Sequence, residues 1–298
     1  MTAPSEATLA LAPNLEVPDP TVDHAVGRRR RSALLRVPVL VSIVIIAGWV
    51  IVALTVSWWA PHDPIARVGG ALESPSWSHW LGTDGLGRDV LTRTFYGARQ
   101  SMPLAVVVLV AGVGLGCVLG AAAGFVGGWV DSVIMRIADI TLSFPPILLA
   151  MVVTAALGKG LFNIGIAMVV VWWPIYARLL RAQILAVKTQ EHVEAARAAG
   201  AGKWRVLMIH VLPLSMTPVL VSATMDFGVI VLLAAGLSYV GLGAVPPTPE
   251  WGLSINEGTL YFQQWWVAAG PGIAILSIVL AFNFLGDGLR DYLDVRMR

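Results

Sequence analysis

The sequence predicts an all-α membrane protein with six transmembrane helices, and three observations support this prediction. Of the 298 residues, 57% are hydrophobic and only 13% are charged, whereas soluble domains carry about 25% charged residues. Six apolar stretches are each about 20 residues long, which is the length that a helix needs to cross a bilayer. Lysine and arginine are also unevenly distributed between the connecting segments, as is typical of multi-pass membrane proteins.

The predicted spans occupy most of the chain after residue 36. They lie at residues 37–59, 103–126, 133–157, 162–180, 218–242 and 267–285. Residues 1–36 have no hydrophobic period and are rich in Ala, Pro, Thr and Glu, which predicts a disordered tail. The arginines at 28–31 directly precede the first span, so we interpret them as a topology signal rather than a nucleic-acid site. The predicted organisation is a tail over 1–36 and a transmembrane domain over 37–298.

The orientation of the spans follows from the positions of the twenty lysines and arginines. With the N-terminus in the cytoplasm, fifteen of them fall in cytoplasmic segments and five fall outside. Positive residues collect on the cytoplasmic side of membrane proteins, so both termini and the segment 186–213 are predicted to be cytoplasmic. The five on the outer side are Arg67, Arg88, Arg93, Arg99 and Lys159.

The 186–213 segment, between the fourth and fifth spans, is charged and prone to form helices. A charge at the centre of a bilayer costs several kcal/mol, so this segment is predicted to lie outside the membrane. Strong helix formers fill residues 189–199, and Gly200 supplies a helix stop. A second short amphipathic helix over 203–211 is predicted to end at Pro213, because proline interrupts a helix. The charged residues are Lys188, Glu191, Glu194, Arg197, Lys203 and Arg205.

Within this segment, the residues Glu194-Ala195-Ala196, Gly200 and Leu212-Pro213 resemble the EAA loop of permease subunits in binding-protein-dependent ABC importers. The resemblance implies the type I importer fold, in which this loop is the coupling helix that docks in a cleft of a cytoplasmic ATPase. His210 stands where the family usually has Ile, and His-Val-Leu-Pro resembles the peptide-permease branch in particular. The implied ATPase-coupling residues are Glu194, Ala195, Ala196, Gly200, Lys203, His210, Leu212 and Pro213.

The first outer loop contains the sequence LGTDGLGRDVLTR at residues 81–93, which resembles a signature of the C-type subunit of dipeptide and oligopeptide importers. Residue chemistry alone predicts that Thr83 or Asp84 caps a short interfacial helix whose Leu86, Val90 and Leu91 face the bilayer. The alternative interpretation is that residues of this loop contact the substrate directly. The signature residues are Gly82, Thr83, Asp84, Gly87, Arg88 and Asp89.

Several features within the spans predict how the helices pack. Small residues at four-residue spacing let helices approach closely in lipid, which predicts a packing seam, within this chain or with a partner permease, or a sliding surface. Arg136 and Asp139 are spaced to pair on one helix face. Pro145-Pro146 predicts a kink or break, and Pro174, after two tryptophans, predicts another. The seam residues are Gly112, Gly116, Gly120, Gly124 and Gly128.

The fifth predicted span contains an acidic residue, Asp226. Ionisable residues inside a membrane are candidates for the transport pathway. The alternative is that Asp226 partners a basic or backbone group. Further along, residues 237–252 and 282–291 resemble the same subfamily, and Ala234 stands where that subfamily often has Glu.

The loop after the fifth span is rich in aromatic residues, which are typical of the membrane–water interface. A docking surface for an external binding protein is the alternative interpretation. The residues are Trp251, Tyr261, Phe262, Trp265 and Trp266.

The sequence contains no phosphate-binding G-x-x-x-x-G-K-[ST] loop, so we do not expect this chain to hydrolyse ATP or to be an enzyme. Its one cysteine, Cys117, excludes a multi-cysteine metal site. The histidines are scattered without metal-ligand spacing, so neither a metal site nor a cofactor is predicted in this chain. They are His24, His62, His79, His192 and His210.

The resemblance implies the C-type permease subunit of an ABC importer for dipeptides or short oligopeptides in the bacterial plasma membrane. Its expected partners are a homologous second permease, one or two ATPases that bind ATP and Mg²⁺, an extracytoplasmic binding protein and membrane lipid, without nucleic acid. Nickel or another small solute is the alternative cargo. A self-sufficient secondary transporter is the alternative class of protein. Many secondary transporters are built from inverted repeats, and we find no internal repeat in this sequence.

Overall fold

The computed structural model describes residues 37–294, and among these it contains helices and no strand. Five helices are long and apolar enough to cross a membrane, and α3 with α4 forms a sixth candidate. This confirms the predicted all-α fold, whereas the predicted tail over 1–36 lies outside the described residues. The helices are α1 Val37–Trp59, α2 Val90–Val126, α3 Gly128–Leu142, α4 Pro146–Leu157, α5 Leu161–Val187, α6 Glu191–Ala198, α7 Lys203–Arg205, a π-helix Val206–Val211, α8 Leu212–Ser215, α9 Thr217–Tyr239, α10 Trp251–Thr259 and α11 Trp266–Asp294.

Helix α2 begins thirteen residues before the predicted start at residue 103, so that boundary is wrong. Asp89 caps the helix, because its Oδ2 accepts a hydrogen bond of 2.8 Å from the backbone N–H of Thr92. The predicted short interfacial helix capped by Thr83 or Asp84 is also wrong. Those two residues lie in the 60–89 loop, and Val90 is 3% exposed rather than facing the bilayer.

The glycines of α2 pack against α5 within this chain. A Cβ atom added to Gly116 would lie 2.6 Å from the carbonyl oxygen of Trp173, and one on Gly120 would lie 2.5 Å from that of Ala177. Only residues without a Cβ allow this approach, which is how small residues bring helices together in lipid. The predicted seam is confirmed for Gly112, Gly116, Gly120 and Gly124, whereas Gly128 has open space around it.

Helices α3 and α4 meet at a 93° bend. Pro145 has an extended ψ of 128°, and Pro146 opens α4, where the missing N–H of proline costs no helical bond. The predicted break at Pro145-Pro146 is therefore confirmed. Pro174 lies inside helix α5, which continues through it without a break, so the kink predicted there stays a prediction.

The predicted pair of Arg136 and Asp139 is wrong. Asp139 instead accepts a 2.6 Å hydrogen bond from Arg178 of α5, and Asp131 pairs with Arg181 one turn further along the same helix. The acids of α3 face α5 because α3 packs against it. The spacing of residues within α3 could not show that the partners of its acids lie on α5.

The remaining spans complete the bundle. Helix α11 packs against α9 and α1, and Trp49 of α1 donates a 2.8 Å hydrogen bond to the hydroxyl of Ser277. Helix α1 lies at the periphery, since Val44 and Leu54 are 70% and 71% exposed. Apolar side chains in such positions match a lipid environment.

Candidate functional site

The 186–213 segment forms the predicted helix–turn–helix, and Gly200 makes the turn. Helix α6 ends at Ala198 and Gly200 has a φ of 83°, a conformation that glycine adopts without steric cost. The N–H groups of Gly200 and Ala201 donate to the carbonyl oxygens of Arg197 and Ala196 at 2.9 and 3.0 Å. These bonds satisfy the last carbonyls of α6, as expected for a glycine helix stop.

The segment is anchored by apolar residues and leaves a polar face exposed. Val193 of α6 is fully buried and joins Val206, Leu207 and Val211 in the hydrophobic core. Glu191 and Glu194 occupy the first turn of α6, where negative charge complements the helix dipole.

Among the predicted coupling residues, Glu194, Ala195, Gly200, Lys203 and Pro213 are exposed, and Ala196, His210 and Leu212 are half-buried. Trp204 is 71% exposed beside them. The sequence analysis missed Trp204, although an aromatic residue within a charged segment between two spans is a signal that could have identified it.

Pro213 does not end the second helix of the segment, so that prediction is wrong. The π-helix Val206–Val211 leads into α8, and Pro213 lies in the first turn of α8, where its missing N–H leaves no bond unmade. Helical backbone therefore continues from Lys203 through Ser215 and on to α9.

Asp226 is half-buried in α9 and faces α5. Its Oδ2 accepts a hydrogen bond of 2.7 Å from the hydroxyl of Tyr176 and one of 3.3 Å from Nε1 of Trp172. Both donors are neutral, which differs from the basic or backbone partner that we considered. Two hydrogen bonds of this kind stabilise a carboxylate without cancelling its charge.

A buried ion cluster joins the 60–89 loop to α2 and α10. Nε of Arg88 lies 2.6 Å from Oδ2 of Asp84, and its NH2 lies 2.8 Å from Oε2 of Glu257. Arg93 lies 3.4 and 3.3 Å from the same two oxygens. Two cations and two anions balance each other, which a buried charge requires. The side chains of Asp84, Arg88 and Arg93 are only 3–4% exposed.

The other signature residues shape the backbone of the 60–89 loop. Gly82 and Gly87 have φ values of 65° and 74°, and an added Cβ on either would lie within 2.5 Å of a backbone oxygen. Thr83 is fully buried and donates a 2.7 Å hydrogen bond to the carbonyl oxygen of Gly70. The carbonyl of Thr83 accepts one from Nε1 of Trp266. All six signature residues therefore make contacts within the protein.

The predicted aromatic loop divides into buried and exposed members. Trp251 is fully buried and donates to the carbonyl oxygen of Thr94 at 2.8 Å, whereas Phe262 and Trp265 are 95% and 64% exposed. Only the exposed members are placed to contact lipid or another protein.

A buried carboxylate that the sequence analysis did not select lies beside Trp251. Glu250 accepts hydrogen bonds from the N–H groups of Gly252 and Leu253 and from the hydroxyl of Ser101. Burial raises the pKa of Glu250 above its ordinary value, and the backbone hydrogen bonds oppose this effect. Glutamate is not a favoured N-cap residue, so no local signal identified it.

Two of the histidines are not scattered, so that prediction is wrong for them. His62 and His79 come together with Asp89 in the 60–89 loop, and their ligand atoms lie within 4.8 Å of one another. Nδ1 of His79 lies 3.1 Å from Oδ1 of Asp89. The loop folds back on itself to bring them together, which the spacing of the histidines did not reveal.

Residues 112–298 match the family described as the binding-protein-dependent transport system inner membrane component. The chain belongs to this family. The permease is 41% identical over 265 residues to the dipeptide transport system permease protein DppC of Alkalihalophilus pseudofirmus, covering 87% of this chain and 86% of that protein. It is 40% identical over 262 residues to the nickel transport system permease protein NikC of Escherichia coli K12, covering 86% of this chain and 93% of that protein.

The permease fold is also similar to a crystal structure of an amino acid ABC transporter with histidines. The TM-score is 0.53 at 16% identity, over 69% of the permease and 94% of that chain. Such a low identity supports the fold alone. The family match and the relatives identify this chain as the permease subunit of an ABC importer, and the apolar helices agree with a multi-pass membrane protein.

Proposed function

We propose that this permease forms half of the pathway through which an ABC importer takes up dipeptides or short oligopeptides. A homologous permease would form the other half, and one or two ATPases would bind ATP and Mg²⁺ in the cytoplasm. An extracytoplasmic binding protein would deliver the substrate. The observation that carries this proposal is the exposed helix–turn–helix between α5 and α9, built around Gly200.

The exposed face of the 186–213 segment has the chemistry of a docking surface. Glu194 and Lys203 present charges, and Trp204 presents a large apolar ring to solvent. Aromatic residues are enriched where proteins bind each other. With the N-terminus inside, as the lysine and arginine distribution favours, this face lies in the cytoplasm, where an ATPase can reach it.

The same segment is joined directly to two spans. Its helices follow α5 after a short turn and continue into α9 through α8. Closure of the ATPases would pull the segment and its counterpart together, and the attached spans would turn the pathway from inward-open to outward-open. Asp226, which links α5 to α9 through Tyr176, lies between the two helices that this motion displaces.

The peptide cargo is supported by the DppC relative, and the NikC relative favours nickel as the second candidate. A self-sufficient secondary transporter is not compatible with membership in a binding-protein-dependent family. The two cargo proposals differ in substrate chemistry and not in the role of this chain.

Reconstitution tests the role and the cargo together. The permease, its partner subunits and the binding protein are placed in proteoliposomes, and uptake of a radiolabelled dipeptide or of ⁶³Ni²⁺ is measured with and without ATP. We expect ATP-dependent accumulation of the dipeptide. Nickel accumulation without peptide uptake would replace the cargo, and accumulation of either solute without ATPase subunits would contradict the proposed role.

A further inference from the structure

The 60–89 loop brings two histidines and a carboxylate together at the start of α2. His79 and Asp89 are 6% and 2% exposed, and Nδ1 of His79 lies 3.1 Å from Oδ1 of Asp89. The ring of His62 lies 5.2 Å from that of His79, measured between centroids. One ligand atom from each of the three residues lies within 4.8 Å of the other two.

The hydrogen bonds around these side chains leave one nitrogen without a partner. Nδ1 of His62 is buried, and within residues 37–294 no group is placed to hydrogen-bond with it. A buried polar atom without a partner is costly, so this nitrogen is available to a ligand. Asp89 is held from behind, because its other oxygen, Oδ2, accepts the N–H of Thr92. An outer contact of this kind orients a carboxylate that ligates a metal.

The three groups have the chemistry of a site for a transition metal. Imidazole nitrogens suit zinc and its neighbours, whereas Mg²⁺ and Ca²⁺ favour oxygen ligands. Two histidines and one carboxylate with an open position form a common zinc set. Tetrahedral ligands at zinc lie about 3.4 Å apart, close to the 3.1 Å between His79 and Asp89. A small movement of the half-buried His62 side chain would bring its nitrogen into range.

A cavity reaches one of the three groups, the carboxylate of Asp89, but neither histidine lines it. It has a volume of ≈ 320 Å³, and Asp89 is part of its wall. The remaining lining residues are mostly aromatic, and they are Trp59, Pro61, Trp77, Ser78, Trp80, Leu91 and Phe95.

We infer that His62, His79 and Asp89 bind one divalent transition-metal ion of the zinc type. The ion would tie the chain just after α1 to the N-terminus of α2, and so would fix the 60–89 loop between two spans. It would be a resident structural ion, and the inference does not depend on which cargo the importer carries.

Zinc binding by the intact complex tests this inference. The complex, assembled with partner subunits and purified without a histidine tag, is stripped with a chelator, incubated with Zn²⁺ alone and desalted. Retained zinc is then measured by mass spectrometry. We expect His62→Gln to retain one zinc fewer per copy of this chain than the unmodified complex, and to bind Zn²⁺ about tenfold or more weakly. His192→Gln is the matched control, because His192 is exposed on α6, and it should retain zinc as the unmodified complex does.

Equal zinc content in His62→Gln and the unmodified complex would overturn the inference. A second measurement does not depend on a variant folding correctly. Co²⁺ added to the stripped, unmodified complex should give the strong visible absorption of a four-coordinate site, and Zn²⁺ should remove it. Absence of that absorption would also overturn the inference.

Discussion

Replacing Gly120 with alanine tests whether α2 and α5 depend on close backbone contact. An added Cβ would lie 2.5 Å from the carbonyl oxygen of Ala177 and 2.9 Å from its Cα. Both atoms belong to the backbone of α5, so no side-chain rotation can relieve the contact. Ordinary van der Waals contact begins at 3.4 Å, and the helices must therefore separate by about 1 Å.

The cost of that separation can be isolated with a matched variant. Gly114 lies on the same helix, is exposed, and has nothing within 4 Å of an added Cβ. Alanine is favoured over glycine in a helix by about 1 kcal/mol, and this gain applies equally to both positions. Overpacking costs about 1–3 kcal/mol. We therefore expect Gly120→Ala to be less stable than Gly114→Ala by about 1–3 kcal/mol.

The assay is unfolding of the purified complex, followed by tryptophan fluorescence in mixed micelles of increasing denaturing detergent. Gly116→Ala should have an unfolding midpoint similar to that of Gly120→Ala, because its Cβ would lie 2.6 Å from the carbonyl oxygen of Trp173. Identical unfolding midpoints for Gly120→Ala and Gly114→Ala would refute the reasoning and would show that the seam has room for a methyl group.

Four further predictions concern coupling, the pathway, the ion cluster and topology. Gly200→Val should assemble normally but uncouple ATP hydrolysis from uptake, because valine at a φ of 83° costs about 1–3 kcal/mol; ATPase activity and uptake are measured together. Asp226→Asn should reduce uptake while the complex remains assembled, since asparagine can still accept the hydrogen bond from Tyr176. Glu257→Gln should lower the free energy of unfolding by about 1–3 kcal/mol, because it leaves two buried arginines facing one carboxylate. A cysteine at Thr189, with Cys117 replaced by alanine, should not react with an impermeant thiol reagent added outside cells.

Each of these four predictions has its own control within the chain. Gly202→Val should be harmless, because Gly202 has a φ of −63° and open space; unimpaired uptake in Gly200→Val would contradict the coupling argument. Tyr176→Phe removes the hydrogen bond but keeps the charge of Asp226, so equal uptake defects in Tyr176→Phe and Asp226→Asn would point to a structural role.

The ion cluster and the topology are controlled in the same way. Asp139→Asn breaks an exposed ion pair, which should cost no more than about 1 kcal/mol; a larger loss there than in Glu257→Gln would contradict the burial argument. A cysteine at Trp77, which is 94% exposed, should be labelled from outside. Labelling of a cysteine at Thr189 from outside would contradict the predicted orientation and indicate the opposite one.

The sequence predicted helix boundaries correctly where a helix consists of apolar residues from end to end. Helix α1 matches the predicted span at both ends, because its sequence is uniformly apolar. The start of α2 was missed because Arg93 and Arg99 lie in its first turns, and charged residues were assigned to the loop. The charge of Arg93 is balanced by Glu257, which is 164 residues away. Only the folded chain shows that partner.

The same distinction between local and distant contacts applies to the candidate sites. The turn at Gly200 was predictable because a glycine helix stop depends on the residues beside it. The contact of Asp226 with Tyr176 and the convergence of His62 with Asp89 both join residues that are distant along the chain. Contacts of this kind leave no local signal in a single sequence.

The length and continuity of α5 have a mechanical consequence. Its 27 residues extend about 40 Å at the standard helical rise, so a tilt of about 10° at one end displaces the other by about 7 Å. Because the glycines of α2 rest directly on the backbone of α5, no side chain cushions that movement, and α2 must swing with it. Asp131 and Asp139 also join α3 to α5 through Arg181 and Arg178. In the coupling that we propose, a tilt of α5 that starts from the attached segment 186–213 would therefore move a group of packed helices rather than one span.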